Sequence, residues 1–182
     1  MPRKGFKQAL LNPLGVLRVN LPYSLLTQYV LLASLLPAAV LAVVAWAAEP
    51  TLLVRFPANL TTLYPPLVFL FVIVGNLVYL WLGSALFYAT SRIFGGKGKM
   101  LDSFNAVAIS LLPLLLLGWV SLLNVFAWIY SLSLLVYGFS LKQKFSLARA
   151  AASIALPIIL VLVAALASIY LAFPQLLASY SL

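Results

Sequence analysis

The sequence predicts an all-α fold, an integral membrane bundle of five transmembrane helices with its N-terminus cytoplasmic and its C-terminus outside. Three observations predict this class: 65% of the 182 residues are hydrophobic, only 7% are charged, and the mean hydropathy is +1.17. A soluble domain carries roughly 25% charged residues, so this chain lacks the polar residues needed to cover a hydrated surface. We therefore treat residues 1–182 as a single membrane domain.

The five spans come from four long stretches without charged residues. A helix needs about 20 apolar residues to cross the roughly 30 Å hydrocarbon core. The stretch 103–141 would extend about 58 Å as one helix, so we divide it at a predicted tight turn near Gly118. The alternative is an even number of spans, in which this stretch forms a re-entrant pair. The predicted spans are residues 24–48, 67–91, 102–118, 122–141 and 150–173.

Prolines and charges set the ends of the predicted spans. Pro22 begins the first span, the pair Glu49-Pro50 ends it, and Pro174 ends the last. Residues 45–47 resemble a signal-peptidase cleavage site, but the apolar run before them is too long for a signal peptide. Residues 1–20 are basic with interleaved leucines, which predicts an interfacial segment on the cytoplasmic leaflet, broken at Pro13.

The distribution of basic residues provides an independent test of this span count. The predicted topology places ten of the eleven Lys and Arg residues on one side of the membrane and only Arg55 on the other. Cytoplasmic loops carry an excess of Lys and Arg, so this side is predicted to be cytoplasmic. The ten residues are Arg3, Lys4, Lys7, Arg18, Arg92, Lys97, Lys99, Lys142, Lys144 and Arg149.

The composition also excludes several functions. The net charge is +9, but long apolar runs separate the basic residues, which argues against nucleic-acid binding. Cysteine and histidine are absent, which excludes thiolate chemistry and His-based metal sites. The only carboxylates, Glu49 and Asp102, are predicted on opposite sides of the membrane, too far apart for a two-carboxylate site. We predict no catalytic residue, cofactor or metal, and a protein that is not an enzyme.

Apart from Asp102, the first residue of the third span, the predicted spans contain no Asp, Glu, Lys or Arg side chain, which argues against a proton-driven transporter. Their small residues, such as Gly75 and Gly83, suit close packing of helices in lipid. Pro37, Pro113 and Pro157 lie inside spans one, three and five, where each removes a backbone hydrogen bond. Helices kinked at these prolines would be able to enclose a cavity.

An ordered set of motifs covers the second half of the chain. A glycine-rich turn follows span two, a proline lies within span three, and the loop after span four carries a serine, a basic residue and an alanine. In this order the motifs resemble the Yip family, the Ypt/Rab-interacting membrane proteins with five spans and a cytoplasmic N-terminus. The positions that carry the resemblance are Gly95, Gly96, Gly98, Pro113, Ser146 and Ala150.

The chain departs from the Rab-associated members of that family in two ways. Only about 20 residues precede span one, whereas the resemblance would imply a long cytoplasmic region with an acidic Tyr-Gly-Pro motif. The Gly-Tyr pair typical of their third span is also missing, since this chain has Asn105-Ala106 there. The resemblance is to a short, prokaryote-like branch, which implies a prokaryotic cell membrane, and Rab binding is not carried over.

Two interpretations of the glycine-rich turn are open to sequence analysis. Glycine-rich loops cradle phosphates in nucleotide-binding proteins, but those loops follow a strand and this one follows a helix. We therefore interpret residues 94–98 as a tight turn between helices.

The leading functional hypothesis is a non-enzymatic, Yip-like scaffold or adaptor that organises lipids or membrane partners. Its predicted partners are the lipid bilayer, including anionic lipids, and another membrane protein or a second copy of the chain. The alternatives are a passive channel, permease or lipid scramblase, and an accessory subunit of a larger membrane complex. The candidate contact residues are Arg92, Lys97, Lys99, Lys142, Lys144 and Arg149.

Overall fold

The computed structural model describes residues 12–47 and 64–179, with side chains as far as Tyr170. A short helix is followed by five helices that are long and apolar enough to cross a membrane, which confirms the predicted fold class. Five charged residues whose side of the membrane was predicted lie outside the described residues: Arg3, Lys4, Lys7, Glu49 and Arg55. The helices are α1 Pro13–Leu17, α2 Tyr23–Ala47, α3 Tyr64–Ile93, α4 Met100–Leu117, α5 Ser121–Gln143 and α6 Leu147–Ser179.

The predicted break near Gly118 separates α4 from α5. The Gly118 amide donates to the Leu114 carbonyl at 2.8 Å, and the Val120 amide donates to the Leu117 carbonyl at 3.1 Å. The side chain of Asn124 donates to the Gly118 carbonyl and so closes the turn. The two helices run antiparallel and pack against each other along their length.

Helix α4 is the centre of the bundle. It contacts α1, α2, α3 and α5, and 61% of its membrane-length window is buried, compared with 17 to 33% for the other four. Because α4 is central, the loop that enters it at Met100 lies in the middle of one end of the bundle.

Aromatic rings join α2, α3 and α4. Helix α3 contains a π-helical turn, Tyr79–Gly83, which includes Trp81. The Trp81 ring stacks on Tyr23 with centroids 5.7 Å apart, and both rings lie edge-on to Phe104 at 4.8 Å. Such pairs add about 0.5–1.5 kcal/mol each beyond the area they bury, so this cluster fixes the order of the three helices.

A hydroxyl group satisfies a carbonyl that Pro157 leaves free in α6. Pro157 has no N–H to donate to the Ser153 carbonyl four residues earlier. Thr90 of α3 donates its hydroxyl to that carbonyl at 2.7 Å. This contact joins the part of α6 nearest its start to α3, whereas every side chain over residues 158–170 is exposed and suited to face lipid.

The segment 12–21, which we call the N-terminal strap, packs against the bundle. Its Val16 and Leu17 are buried, and Leu17 lies against Gly138 of α5, where an added Cβ would be 3.0 Å from the leucine side chain. The interfacial position of residues 1–20 on the cytoplasmic leaflet stays a prediction. Their described part packs against α4 and α5 through the buried side chains of Val16 and Leu17, whereas Leu14 is exposed.

Candidate functional site: the basic end of the bundle

Three basic segments meet at one end of the bundle, which we call the basic end. They are strap residues 18–20, the α3–α4 loop (residues 94–99) and the α5–α6 loop (residues 144–146). The Lys97 amide donates to the Gln143 carbonyl at 3.0 Å, and the Lys142 ammonium donates to the Val19 carbonyl at 2.9 Å. These contacts hold the α3–α4 loop and the strap against the end of α5.

The α3–α4 loop is a closed turn whose backbone donors are all used within the protein. The amides of residues 94, 95 and 96 donate to carbonyls of α3 at 2.8 to 3.3 Å. Those of Gly98 and Lys99 donate to the Gln143 Oε1 atom at 3.0 Å and to the Asp102 carboxylate at 2.6 Å. No backbone N–H of this loop is left to cradle a phosphate, so the interpretation as a tight turn is the one that the geometry supports.

The backbone conformation and the close packing of this loop explain why glycine occupies three of its positions. Gly95 has a φ of +82°, a conformation that side chains with a Cβ adopt only at a cost of about 1–2 kcal/mol. A Cβ at Gly98 would lie 2.5 Å from the Lys142 carbonyl oxygen, and one at Gly96 would lie 2.9 Å from the Ser91 carbonyl oxygen. The loop therefore approaches the ends of α3 and α5 more closely than other residues would allow.

Gln143 is the central polar residue of the basic end. It is fully buried, and its amide nitrogen donates to the Ser103 hydroxyl at 2.8 Å while its oxygen accepts from Gly98. One side chain thus joins α5, α4 and the α3–α4 loop. Sequence reasoning missed Gln143, although an amide at the end of a span is a signal, because a buried amide must find partners.

Lys142 is buried, whereas the sequence predicted an exposed contact residue at this position. It was a candidate contact for lipids or partners, but only 9% of it is exposed, and its ammonium donates to the Val19 carbonyl and, at 2.5 Å, to the Asn20 Oδ1 atom. The last turn of α5 directs this side chain toward the strap. Lys142 therefore fastens the strap and is not part of the exposed basic surface.

The other five candidate contacts are exposed at this end. Arg92 is held in place, because its guanidinium donates to the Gly96 carbonyl at 3.2 Å and to the Tyr88 hydroxyl at 2.7 Å, and lies 4.9 Å from the centre of the Tyr88 ring. Lys144 ends α5 in the left-handed conformation, with a φ of 57°. We call four exposed cationic residues of the two loops and the first turn of α6 the basic surface: Lys97, Lys99, Lys144 and Arg149.

The remaining motif positions have structural roles. The Ser146 hydroxyl accepts from the Arg149 amide at 3.4 Å, near the start of α6. Ala150 is fully buried, and Pro113 lines a cavity beside α4. These positions shape the helix ends and the packing between helices.

Lys142 and Lys144 provide a matched test of this assignment. We expect Lys142→Met to lower the free energy of unfolding by about 1–3 kcal/mol, because it leaves the acceptors of the strap unpaired. Lys144→Met is expected to change it by less than about 0.5 kcal/mol, as is usual for exposed positions. Unfolding in mixed micelles measures both, and equal effects of the two variants would contradict the buried role of Lys142.

The family of the chain follows from a comparison with models of known protein families. The family model of the Yip1 domain matches residues 5–169, which includes all five spans as far as Ile169 of α6. Searches of curated proteins and of solved structures gave no match. The motifs that carry the resemblance lie within the matched range, and the chain belongs to the Yip1-domain family.

Proposed function

We propose that this Yip1-domain protein is a non-enzymatic scaffold or adaptor that holds anionic lipid headgroups or partner membrane proteins at its basic end. The observation that carries this proposal is the basic surface, four exposed cationic side chains on the two loops and the first turn of α6. Hydrogen bonds fix the α3–α4 loop, which holds two of them. In this proposal the basic end lies on the cytoplasmic side, as the positive-inside rule predicts.

The physical basis of the proposal is electrostatic attraction without a shaped pocket. A basic residue near an anionic membrane surface contributes about 1 kcal/mol, so the four residues of the basic surface together contribute about a thousandfold in affinity. The donors of the α3–α4 loop are already paired, which favours contact through side chains. Such contact is screened over about 10 Å at 0.1 M salt, so we expect the binding to weaken as salt is raised.

Neutralising the basic surface tests this proposal. The protein, held in nanodiscs of zwitterionic lipid, is titrated with vesicles that contain phosphatidylglycerol. We expect a variant with Lys97, Lys99, Lys144 and Arg149 each replaced by Gln to bind these vesicles about a thousandfold more weakly. The matched control exchanges Lys for Arg and Arg for Lys at the same four positions, which preserves the charge and is expected to preserve binding.

Proteins that co-purify with the wild-type chain and with the Gln variant, identified by mass spectrometry, extend the test to partner proteins. Equal vesicle binding and equal co-purifying proteins for the two chains would remove the basis of the proposal.

No observation specifically favours either alternative function, the passive channel, permease or scramblase or the accessory subunit. A channel, permease or scramblase needs polar groups along its path, and the cavity beside α4 is lined by apolar side chains.

A further inference from the structure

An apolar cavity lies between α4, α5 and the tip of the N-terminal strap. Its volume is about 180 Å³, and α4 lines it from Ile109 to Leu117. Pro13 of the strap and Tyr130 of α5 complete the wall. Pro113 is one of the wall residues, and there the chain lacks the backbone N–H of a regular helix.

The position of this cavity determines what can enter it. Its wall residues Leu117 and Tyr130 are 44% and 47% exposed, so the cavity opens at the outer surface of the bundle. Pro113 lies about 20 Å along α4 from Met100, at 1.5 Å per residue, within a hydrocarbon core of roughly 30 Å. An apolar cavity of about 150 Å³ stays dry and binds small hydrocarbons. The end of a lipid acyl chain has the chemistry and the location that this cavity requires.

The strap connects the cavity with the basic end. Pro13 forms a wall of the cavity at one end of α1, and Arg18, which is exposed, follows α1 at the other end. Between them Leu14 is 49% exposed, which leaves an apolar surface along the strap. An acyl chain crosses half of the hydrocarbon core, roughly 15 Å. Ile109, the wall residue nearest the basic end, lies about 14 Å along α4 from Met100, so the end of a chain whose headgroup lies at the basic end reaches the near wall of the cavity.

We propose that this cavity binds the end of one acyl chain of an anionic phospholipid whose phosphate lies beside Arg18. The proposal rests on the lipid part of the proposed function, but it depends on residues outside the basic surface. The guanidinium of Arg18 selects the charge of the headgroup, while the cavity determines whether a lipid is retained at all.

Native mass spectrometry of the protein released from nanodiscs with equal phosphatidylglycerol and phosphatidylcholine tests this site. We expect the wild-type chain to retain one phosphatidylglycerol. Leu116→Phe fills the cavity, and Leu117→Trp covers its mouth from an exposed position that tolerates a larger side chain. We expect each to reduce retention at least tenfold, and the control Leu122→Phe, at a position 80% exposed on α5, to leave it unchanged.

A separate pair of variants tests the contact between the headgroup and Arg18. Arg18→Gln is expected to lower the preference for phosphatidylglycerol over phosphatidylcholine about fivefold, the effect of one basic residue near a headgroup. The control Arg18→Lys keeps the positive charge and is expected to leave that preference unchanged. These variants separate this site from the basic surface. The four-residue Gln variant can lose vesicle binding while it still retains phosphatidylglycerol. The cavity variants can lose this retention while they still bind vesicles.

Three results would overturn the proposal. The first is undiminished retention in both Leu116→Phe and Leu117→Trp, each shown to fold by its thermal unfolding. The second is an unchanged headgroup preference in Arg18→Gln. The third is lipid binding that occurs only after residues 2–11 are deleted, because the cavity would then belong to the N-terminal segment of the chain itself.

Discussion

Replacing Gly98 by alanine is expected to lower the free energy of unfolding by about 1–3 kcal/mol, the usual cost of forcing an added group into a packed site. The added Cβ would lie 2.5 Å from the Lys142 carbonyl oxygen and 2.8 Å from the Gln143 Oε1 atom. The loop must move away from α5, and this movement also breaks the bond from the Gly98 amide to Gln143. A single methyl group therefore acts on both the loop and the side chain that joins three elements.

Two other Gly→Ala variants make the test of Gly98 specific. Gly75 lies within α3 with nothing within 4 Å of an added Cβ, and the helix propensity of alanine predicts a gain of up to about 1 kcal/mol there. Gly95 has open space but a φ of +82°, so Gly95→Ala is expected to cost about 1–2 kcal/mol through the backbone alone. Unfolding in mixed micelles compares the three. A Gly98→Ala variant as stable as Gly75→Ala would contradict the close approach of the loop to α5.

The spans of this fold could be predicted from hydropathy and length, because the membrane requires about 20 apolar residues for each crossing. The break near Gly118 followed from the same requirement, and the structure ends α4 at Leu117 and begins α5 at Ser121. The meeting of the α3–α4 and α5–α6 loops at one end also followed from the count, since consecutive spans alternate in direction.

The roles of individual residues at the basic end could not be predicted in the same way. Lys142 lies in the last turn of α5, whereas Lys144 follows the helix with a left-handed backbone conformation. One therefore faces the strap while the other is exposed, and the sequence holds no information on which direction the neighbours take. The partners of Gln143 were equally hard to predict, because Ser103 and Gly98 are 40 and 45 positions distant from it along the chain.

The packing of the strap could not be predicted because its apolar segment is too short to be detected by hydropathy. Residues 13–17 form an apolar segment of a single helical turn, far shorter than a span, so hydropathy over a membrane-length window does not detect it. Its location depends on two polar side chains distant in sequence, Lys142 and Asn105. Asn105 is an uncharged amide within a predicted span, and its need for partners was the available signal.

Replacing Asn105 by alanine is expected to release the N-terminal strap from α4. Asn105 is fully buried. Its oxygen accepts from the Leu21 amide at 2.9 Å, and its nitrogen donates to the Leu21 carbonyl at 3.1 Å. Alanine leaves both backbone groups of Leu21 without these partners, at a cost of about 1–3 kcal/mol. Since the bonds hold the strap and not the core of the bundle, the cost is expected as local opening and not as global unfolding.

Amide hydrogen exchange measures this opening directly. A cost of 1–3 kcal/mol corresponds to about 5–150-fold faster exchange, and we expect this increase at Leu21 in Asn105→Ala. The matched control is Asn124→Ala, which removes an asparagine that bonds the Gly118 carbonyl in the turn between α4 and α5 and has no bond to Leu21. It is expected to leave exchange at Leu21 unchanged. Equal exchange at Leu21 in the wild type and in Asn105→Ala would show that the strap is held without Asn105, by Lys142 and the buried side chain of Leu17 alone.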